Sequence, residues 1–107
     1  MYARQVSMEL DPNSQAEFTR KLDSEIIPLL RKQKGFRDEI TFVSPDGNKA
    51  YAVSLWDDKQ SAEAYSRVSY AEVTKILSKL VKGTPQVKTF DVAHSTFHKI
   101  ASKQKAA

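Results

Sequence analysis

The segment 51–65 passes without a break from the alternating pattern of a β-strand into a helix, and the only tryptophan of the chain, Trp56, lies at the junction. One face of this strand carries aliphatic and aromatic side chains, and the other carries small residues that end in the tryptophan ring. Neither face suits water, so the strand is predicted to lie in a sheet covered on both sides. Asp57 and Asp58 follow, and they are predicted to accept hydrogen bonds from the first N–H groups of the helix.

The composition is that of one folded domain. The chain has 107 residues, of which 40% are hydrophobic and 28% are charged, and this length suffices for a core. No apolar run approaches the roughly 18 residues of a membrane helix, and the first residues lack the apolar block of a signal peptide, so a cytoplasmic protein with no membrane contact is expected. The absence of cysteine excludes disulfides, thiolate zinc sites and iron–sulfur clusters. No metal and no cofactor are expected.

The net charge of +4 raises the question of nucleic-acid binding. The basic residues are scattered, and the densest group, at residues 31–37, lies where a helix C-terminus favours cations. No nucleic-acid-binding motif accompanies the charge, so nucleic acid is not an expected partner.

The patterns predict a strand, a helical region, two strands, a second helical region and a last strand. An Asp-Gly turn at residues 44–48 predicts that the two central strands form a hairpin. Gly35 is predicted to end the first helical region, and Gly83 with Pro85 is predicted to end the second. The strands are predicted at residues 2–10, 36–43, 49–56 and 87–97.

Both helical regions are predicted to be interrupted. Pro28 falls within the apolar stripe of the first region, and a proline in a helix interior removes a hydrogen bond, so a kink or restart is expected near Ile26. Residues 14–17 have the Ser-x-x-Glu form of a capping box and are predicted to begin the first region. The same form at residues 69–72 predicts two helices in tandem in the second region.

This order of elements is that of an α+β, ferredoxin-like βαββαβ sandwich with a four-stranded antiparallel sheet. The helical regions can cover only one face of the sheet, whereas the strand at residues 49–56 is apolar on both faces. A second copy of the chain is the simplest cover for the other face, so a homodimer is predicted. One domain is expected over residues 1–98, followed by a basic, flexible tail over residues 99–107.

The chain resembles the antibiotic biosynthesis monooxygenase (ABM) superfamily over nearly its whole length. The resemblance rests on the order of elements, on the segments 27–36 and 54–57, and on Ala62 and Tyr65 behind them. It implies a dimeric α+β barrel that binds a small, flat, apolar molecule, aromatic or quinone-like. It also implies a cofactor-independent monooxygenase, since the family includes cofactor-free oxygenases that act on polycyclic phenols and quinols.

Two departures from the family keep an alternative open. The haem-degrading branch uses a histidine on the second helical region, and no histidine occurs between Trp56 and Pro85. The phenol-oxidising branch uses an asparagine shortly before the matching tryptophan, where this chain has Ala52. The alternative to the oxygenase is therefore a homodimer that binds a small molecule without catalysis.

The resemblance places Trp56 in the aromatic wall of a pocket between the sheet and the helices, and a buried core tryptophan is the alternative. Tyr70 is an additional phenol that could orient a ligand or serve only in packing. His94 is the candidate catalytic residue, because its ordinary pKa lies near neutrality, and a core or interface histidine is its alternative. His98 lies about 13 Å further along the predicted strand, too far for one metal to bridge the two. The candidate substrate-binding residues are Trp56, Tyr65, Tyr51, Phe42 and Phe90.

Overall fold

The computed structural model describes residues 1–97. Its four strands form one antiparallel sheet in the order β2-β3-β1-β4, and the helices pack on one face of it. This is the α+β, ferredoxin-like βαββαβ fold predicted from the sequence. The elements are β1 (Tyr2–Leu10), α1 (Gln15–Lys21), a π-helical turn (Leu22–Ile26), α2 (Ile27–Arg31), β2 (Phe36–Val43), β3 (Lys49–Trp56), α3 (Lys59–Val68), α4 (Tyr70–Leu77) and β4 (Val81–Asp91).

The core lies between the sheet and the helices. Alternate residues of β1 and β3 point toward the helices, and the apolar side chains of the helices pack against them. No helix within residues 1–97 is long and apolar enough to cross a membrane. The buried core residues are Val6, Met8, Leu10, Phe18, Ile26, Leu30, Ala50, Trp56, Ala62, Tyr65, Val73 and Leu77.

The predicted interruption of the first helical region is confirmed. A π-helical turn separates α1 from α2, and Pro28 lies in the first turn of α2, where proline is tolerated. The predicted capping role of Ser14 is wrong: its hydroxyl donates to the carbonyls of Asp11 and Leu80, at 2.6 and 3.3 Å, and so ties the start of α1 to the loop before β4.

The second helical region is divided as predicted, into α3 and α4. Its first cap is also as predicted, because the carboxylate of Asp58 accepts from the backbone N–H of Ser61 at 2.8 Å. Asp57 instead forms an ion pair with Arg37 on β2. The predicted capping box at Ser69 is wrong, since its side chain makes no cap hydrogen bond.

The last strand is displaced from its predicted position. It was predicted at residues 87–97, but β4 spans Val81–Asp91. The error came from treating Gly83 and Pro85 as helix terminators. They lie instead in β4, an edge strand, where a residue without a backbone N–H is tolerated because one side of the strand has no partner. The pairing of β4 with β1 is irregular at this point, between Ser7 and Glu9 of β1. His98 and the predicted tail at residues 99–107 lie outside the described residues.

A bulge in β2 decides which of its side chains face the helices. The pairing with β3 shifts between Phe36 and Asp38, so Phe36 packs edge-on against the buried ring of Trp56. Beyond the bulge, Glu39 pairs with the buried Ser54 on the helix-covered side, and Ile40 pairs with Val53 on the opposite side.

Gly35, between α2 and β2, is a position where we expect a strong effect of substitution. Its φ is +84°, and an added Cβ would lie 2.5 Å from the Cβ of Ser61. Gly83 is the matched control, since its φ is also positive, +65°, but an added Cβ would meet nothing within 4 Å. We expect Gly35→Ala to lower the free energy of unfolding by about 1–3 kcal/mol more than Gly83→Ala, because only the first adds a steric clash. Urea unfolding of both variants measures the difference, and equal effects would contradict it.

Candidate ligand-binding cavity

A cavity of about 490 Å³ lies between the sheet and the helical layer. Its volume is within the range of small-molecule sites, and most of its lining is apolar. The sheet contributes side chains from β1 and β3, and the helices contribute α4 together with the π-helical turn and α2. The start of β4, at residues 81–85, lines one side. The displaced position of β4 is therefore what brings this strand to the cavity.

Two tyrosines form an aromatic wall of the cavity. Tyr65 on α3 and Tyr70 on α4 both line it, with their ring centroids 6.4 Å apart. Tyr65 is only 4% exposed, and burial raises its pKa to about 12, against a smaller lowering effect of the Arg4 charge. Its phenol therefore keeps its proton at neutral pH and can donate a hydrogen bond to a ligand oxygen.

Trp56 supports this wall from behind. Its ring is fully buried and stacks on Tyr65 with centroids 5.1 Å apart and planes at 29°. Its Nε1 donates to the hydroxyl of Ser54 at 2.9 Å. Trp56 does not line the cavity, so its geometry fits the alternative of a buried core tryptophan. Tyr65, on which it stacks, is the residue that faces the cavity.

Arg4 is a cavity residue that the sequence analysis missed. It lies on β1 and is 4% exposed, with its guanidinium carbon 4.1 Å from the ring centroid of Tyr70 and 5.3 Å from that of Tyr65. Within residues 1–97, no hydrogen-bond acceptor and no carboxylate contacts its guanidinium group. The alternation of β1 was the available signal, since position 4 shares a face with Val6 and Met8.

A polar row crosses the sheet on the cavity side. Ser54 pairs with Arg4 on one neighbouring strand and with Glu39 on the other, and all three line the cavity. The pKa of Glu39 is raised, first because burial disfavours its charge and also through the nearby charge of Asp38, while a hydrogen bond donated by the Thr41 hydroxyl opposes the shift.

The other candidate site residues lie elsewhere. Tyr51 and Phe42 pair with each other on the sheet face away from the helices. Phe90 pairs with Ala3 on that same face. His94 is exposed and follows the end of β4, so it does not share a strand face with Phe90 as the sequence predicted. Of the five predicted substrate-binding residues, only Tyr65 lines the cavity, and Trp56 packs directly behind it.

The described residues contain no cluster that would suit a metal ion. No three carboxylate or imidazole side chains within residues 1–97 come close enough to share one. The cavity instead offers a buried guanidinium, a phenol and a carboxyl group that is hard to ionise. These groups can bind and orient an organic molecule with oxygen substituents, and they can exchange a proton with it.

Glu39 predicts an unusual pH dependence of stability. The folded state favours the protonated form of Glu39, so folding takes up a proton when the pH lies between 4.5, the ordinary pKa, and the raised pKa of the folded state. The free energy of unfolding should therefore rise as the pH falls through this range. We expect Glu39→Gln to be more stable than the unmodified protein at pH 7 and to lose this rise. Glu63→Gln, in an exposed pair with Lys59, is the control and should keep it. Identical pH profiles for the three proteins would contradict the prediction.

Comparison with known proteins identifies the fold. No protein-family model matches the sequence, and no curated protein does. Solved structures match over most of the chain: a monooxygenase of Streptomyces coelicolor in complex with nanaomycin D has a TM-score of 0.75 at 19% identity over 88% of each chain. A protein of unknown function from Nitrosomonas europaea gives 0.73 at 16% identity, covering 89% of this chain and 91% of the other.

A third structure is a candidate antibiotic biosynthesis monooxygenase of Bordetella bronchiseptica. It gives a TM-score of 0.71 at 16% identity and covers 85% of this chain and 96% of its own. The sequence identities are low, and the agreement lies in the arrangement of the elements over nearly the full length of each protein. The chain therefore has the fold of the antibiotic biosynthesis monooxygenases, which the resemblance in its sequence predicted.

Proposed function

We propose that the chain belongs to the ABM superfamily and binds a small, flat, apolar molecule, aromatic or quinone-like, between its sheet and its helices. The observation that carries this proposal is the apolar cavity of about 490 Å³ with Tyr65 and Tyr70 in its wall. Paired aromatic side chains favour flat ring systems by stacking and edge contacts. The monooxygenase of Streptomyces coelicolor, which shares the fold, holds nanaomycin D.

The proposed reaction is the cofactor-independent oxidation of a phenol or quinol by molecular oxygen. Such a reaction begins with removal of a phenolic proton, and a carboxylate whose pKa is raised is a stronger base for this step. Glu39 lines the cavity and has such a shift, whereas His94 is exposed beyond the end of β4. Glu39 is therefore the better candidate base, and the Tyr65 phenol is the candidate donor to the developing oxygen charge.

Binding without catalysis is the second candidate function. Ala52, on β3, lines the cavity. The phenol-oxidising branch of the ABM superfamily, which the chain resembles, has an asparagine at this position. A methyl group there supplies no hydrogen bond to a reacting oxygen. The cavity then serves as a binding site only, with the same ligand class.

The second part of the proposal is a homodimer formed through the uncovered sheet face. Three large apolar side chains on this face are about half exposed: Ile40 at 53%, Phe42 at 52% and Phe90 at 49%. Tyr51 and Val53 on β3 extend the same patch between them. A two-fold pairing of such patches buries the same apolar surface on each copy.

The binding test uses a panel of phenols, quinols and quinones in equilibrium titrations. Ala52→Phe should weaken binding at least tenfold because its ring fills part of the cavity, whereas Ala71→Phe, on the exposed side of α4, should not. An oxygen electrode then separates the two functions: binding with oxygen consumption supports the oxygenase, and binding without it supports the non-catalytic alternative. Absence of binding by every compound would overturn both.

A further inference from the structure

The guanidinium group of Arg4 is a charged group in the cavity that meets no hydrogen-bond acceptor and no carboxylate within residues 1–97. Its side chain is almost completely buried, and its guanidinium carbon lies over the rings of Tyr70 and Tyr65, 4.1 and 5.3 Å from their centroids. A buried charge without a hydrogen-bond acceptor is strongly unfavourable in an apolar surrounding. The two aromatic contacts offset part of this cost. They leave the guanidinium N–H groups without an acceptor in the part of the chain that the structure describes.

We propose that the ligand carries a carboxylate, and that Arg4 binds it inside the cavity. The inference rests on the proposed binding of a flat apolar molecule at this site. It adds that the molecule carries a carboxylate, which would distinguish it from neutral molecules of the same shape. Arginine has a planar set of N–H donors that matches a carboxylate in a two-point contact. The ligand class is thus an aromatic or quinone-like acid.

The surroundings of Arg4 favour an anion from outside over an internal partner. Glu39 is on the other side of Ser54 in the same row, and it forms no ion pair with Arg4. The same burial that resists the ionisation of Glu39 strengthens the attraction between Arg4 and a bound anion. The rings of Tyr65 and Tyr70 flank the guanidinium, and Trp56 stacks on Tyr65, so Arg4 is held in place before the ligand arrives.

Lys75 is the other cation that lines the cavity, and it provides the comparison. It is exposed on α4, at the rim, where solvent already satisfies its ammonium group. An ion pair at such a position contributes little. The carboxylate preference is therefore assigned to Arg4, on the sheet, and not to Lys75.

The test compares two ligands of nearly the same shape, anthraquinone-2-carboxylate, which is an anion, and anthraquinone-2-carboxamide, which is neutral. The unmodified protein should bind the carboxylate at least about tenfold more tightly, since a hydrogen-bonded charge adds more than 1.4 kcal/mol. Arg4→Met should remove this preference, and Lys75→Met should retain it. Arg4→Lys should restore part of it.

Each outcome separates this inference from the proposed function. Equal binding of the two compounds by the unmodified protein, or a preference that survives Arg4→Met, would overturn the role of Arg4 and leave the cavity as a binding site. Binding of neither compound would overturn the proposed function as well. If Arg4→Met does not fold, the Nε–H NMR signal of Arg4 in the unmodified protein decides: a shift with the carboxylate alone supports the inference, and no shift refutes it.

Discussion

Replacing Trp56 by alanine should lower the free energy of unfolding by about 3–5 kcal/mol, the range measured for removing a large aromatic side chain from a core. The ring is fully buried, packs between Phe36 and Tyr65, and donates a hydrogen bond to Ser54. Its removal leaves a hole next to the cavity and takes away the N–H that donates to the Ser54 hydroxyl. Chemical unfolding of the variant gives the number directly.

The same variant should also bind ligands poorly, because Tyr65 loses the ring that positions it. Trp56→Phe is the matched control: it keeps an aromatic ring against Tyr65, loses only the indole N–H and part of the volume, and should retain most of the stability and the binding. A Trp56→Ala protein that is as stable as the original but fails to bind would show that the indole contacts the ligand itself, contrary to the packing seen here.

The second large effect is expected at the uncovered sheet face. Ile40→Glu combined with Phe42→Glu should raise the dissociation constant of the proposed dimer at least about 100-fold, because four carboxylates would face one another across the proposed two-fold interface. Sedimentation equilibrium at micromolar concentration measures the change. Val68→Glu is the control, since Val68 is 79% exposed on α3 and lies outside the proposed interface.

Two results would contradict this second prediction. A double variant that stays dimeric would place the interface elsewhere on the molecule. If the unmodified protein sediments as a monomer, the proposed homodimer is wrong. The exposed patch of Ile40, Phe42 and Phe90 would then need another explanation.

The sequence was sufficient for the parts of the fold that follow from local periodicity. The first three strands were predicted with their observed bounds because each shows clear alternation that stops at a turn or a helix-cap signal. The break near Ile26 followed from Pro28 alone. The last strand could not be placed in the same way, since Gly83 and Pro85 look identical in sequence whether they end a helix or lie in an edge strand.

The candidate site was harder to predict than the fold. Aromatic residues on β2, β3 and β4 looked equivalent in sequence, but the pleat and the bulge in β2 send Phe42 and Phe90 to the face opposite the cavity. Arg4 and Glu39 were overlooked because charged residues in strands normally face water. Only the pairing of β1 with β3 and of β3 with β2 shows that both flank Ser54 beneath the helices.

The central claim is that a flat ligand binds between the sheet and the helices, and intermolecular NOEs test it most directly. The two faces of the sheet carry different methyl groups, those of Val6 and Val73 inside the cavity and those of Ile40 and Val53 on the opposite face. With anthraquinone-2-carboxylate bound, the ligand protons should show NOEs to Val6 and Val73. NOEs to Ile40 and Val53 instead would place the ligand on the open sheet face and contradict the account.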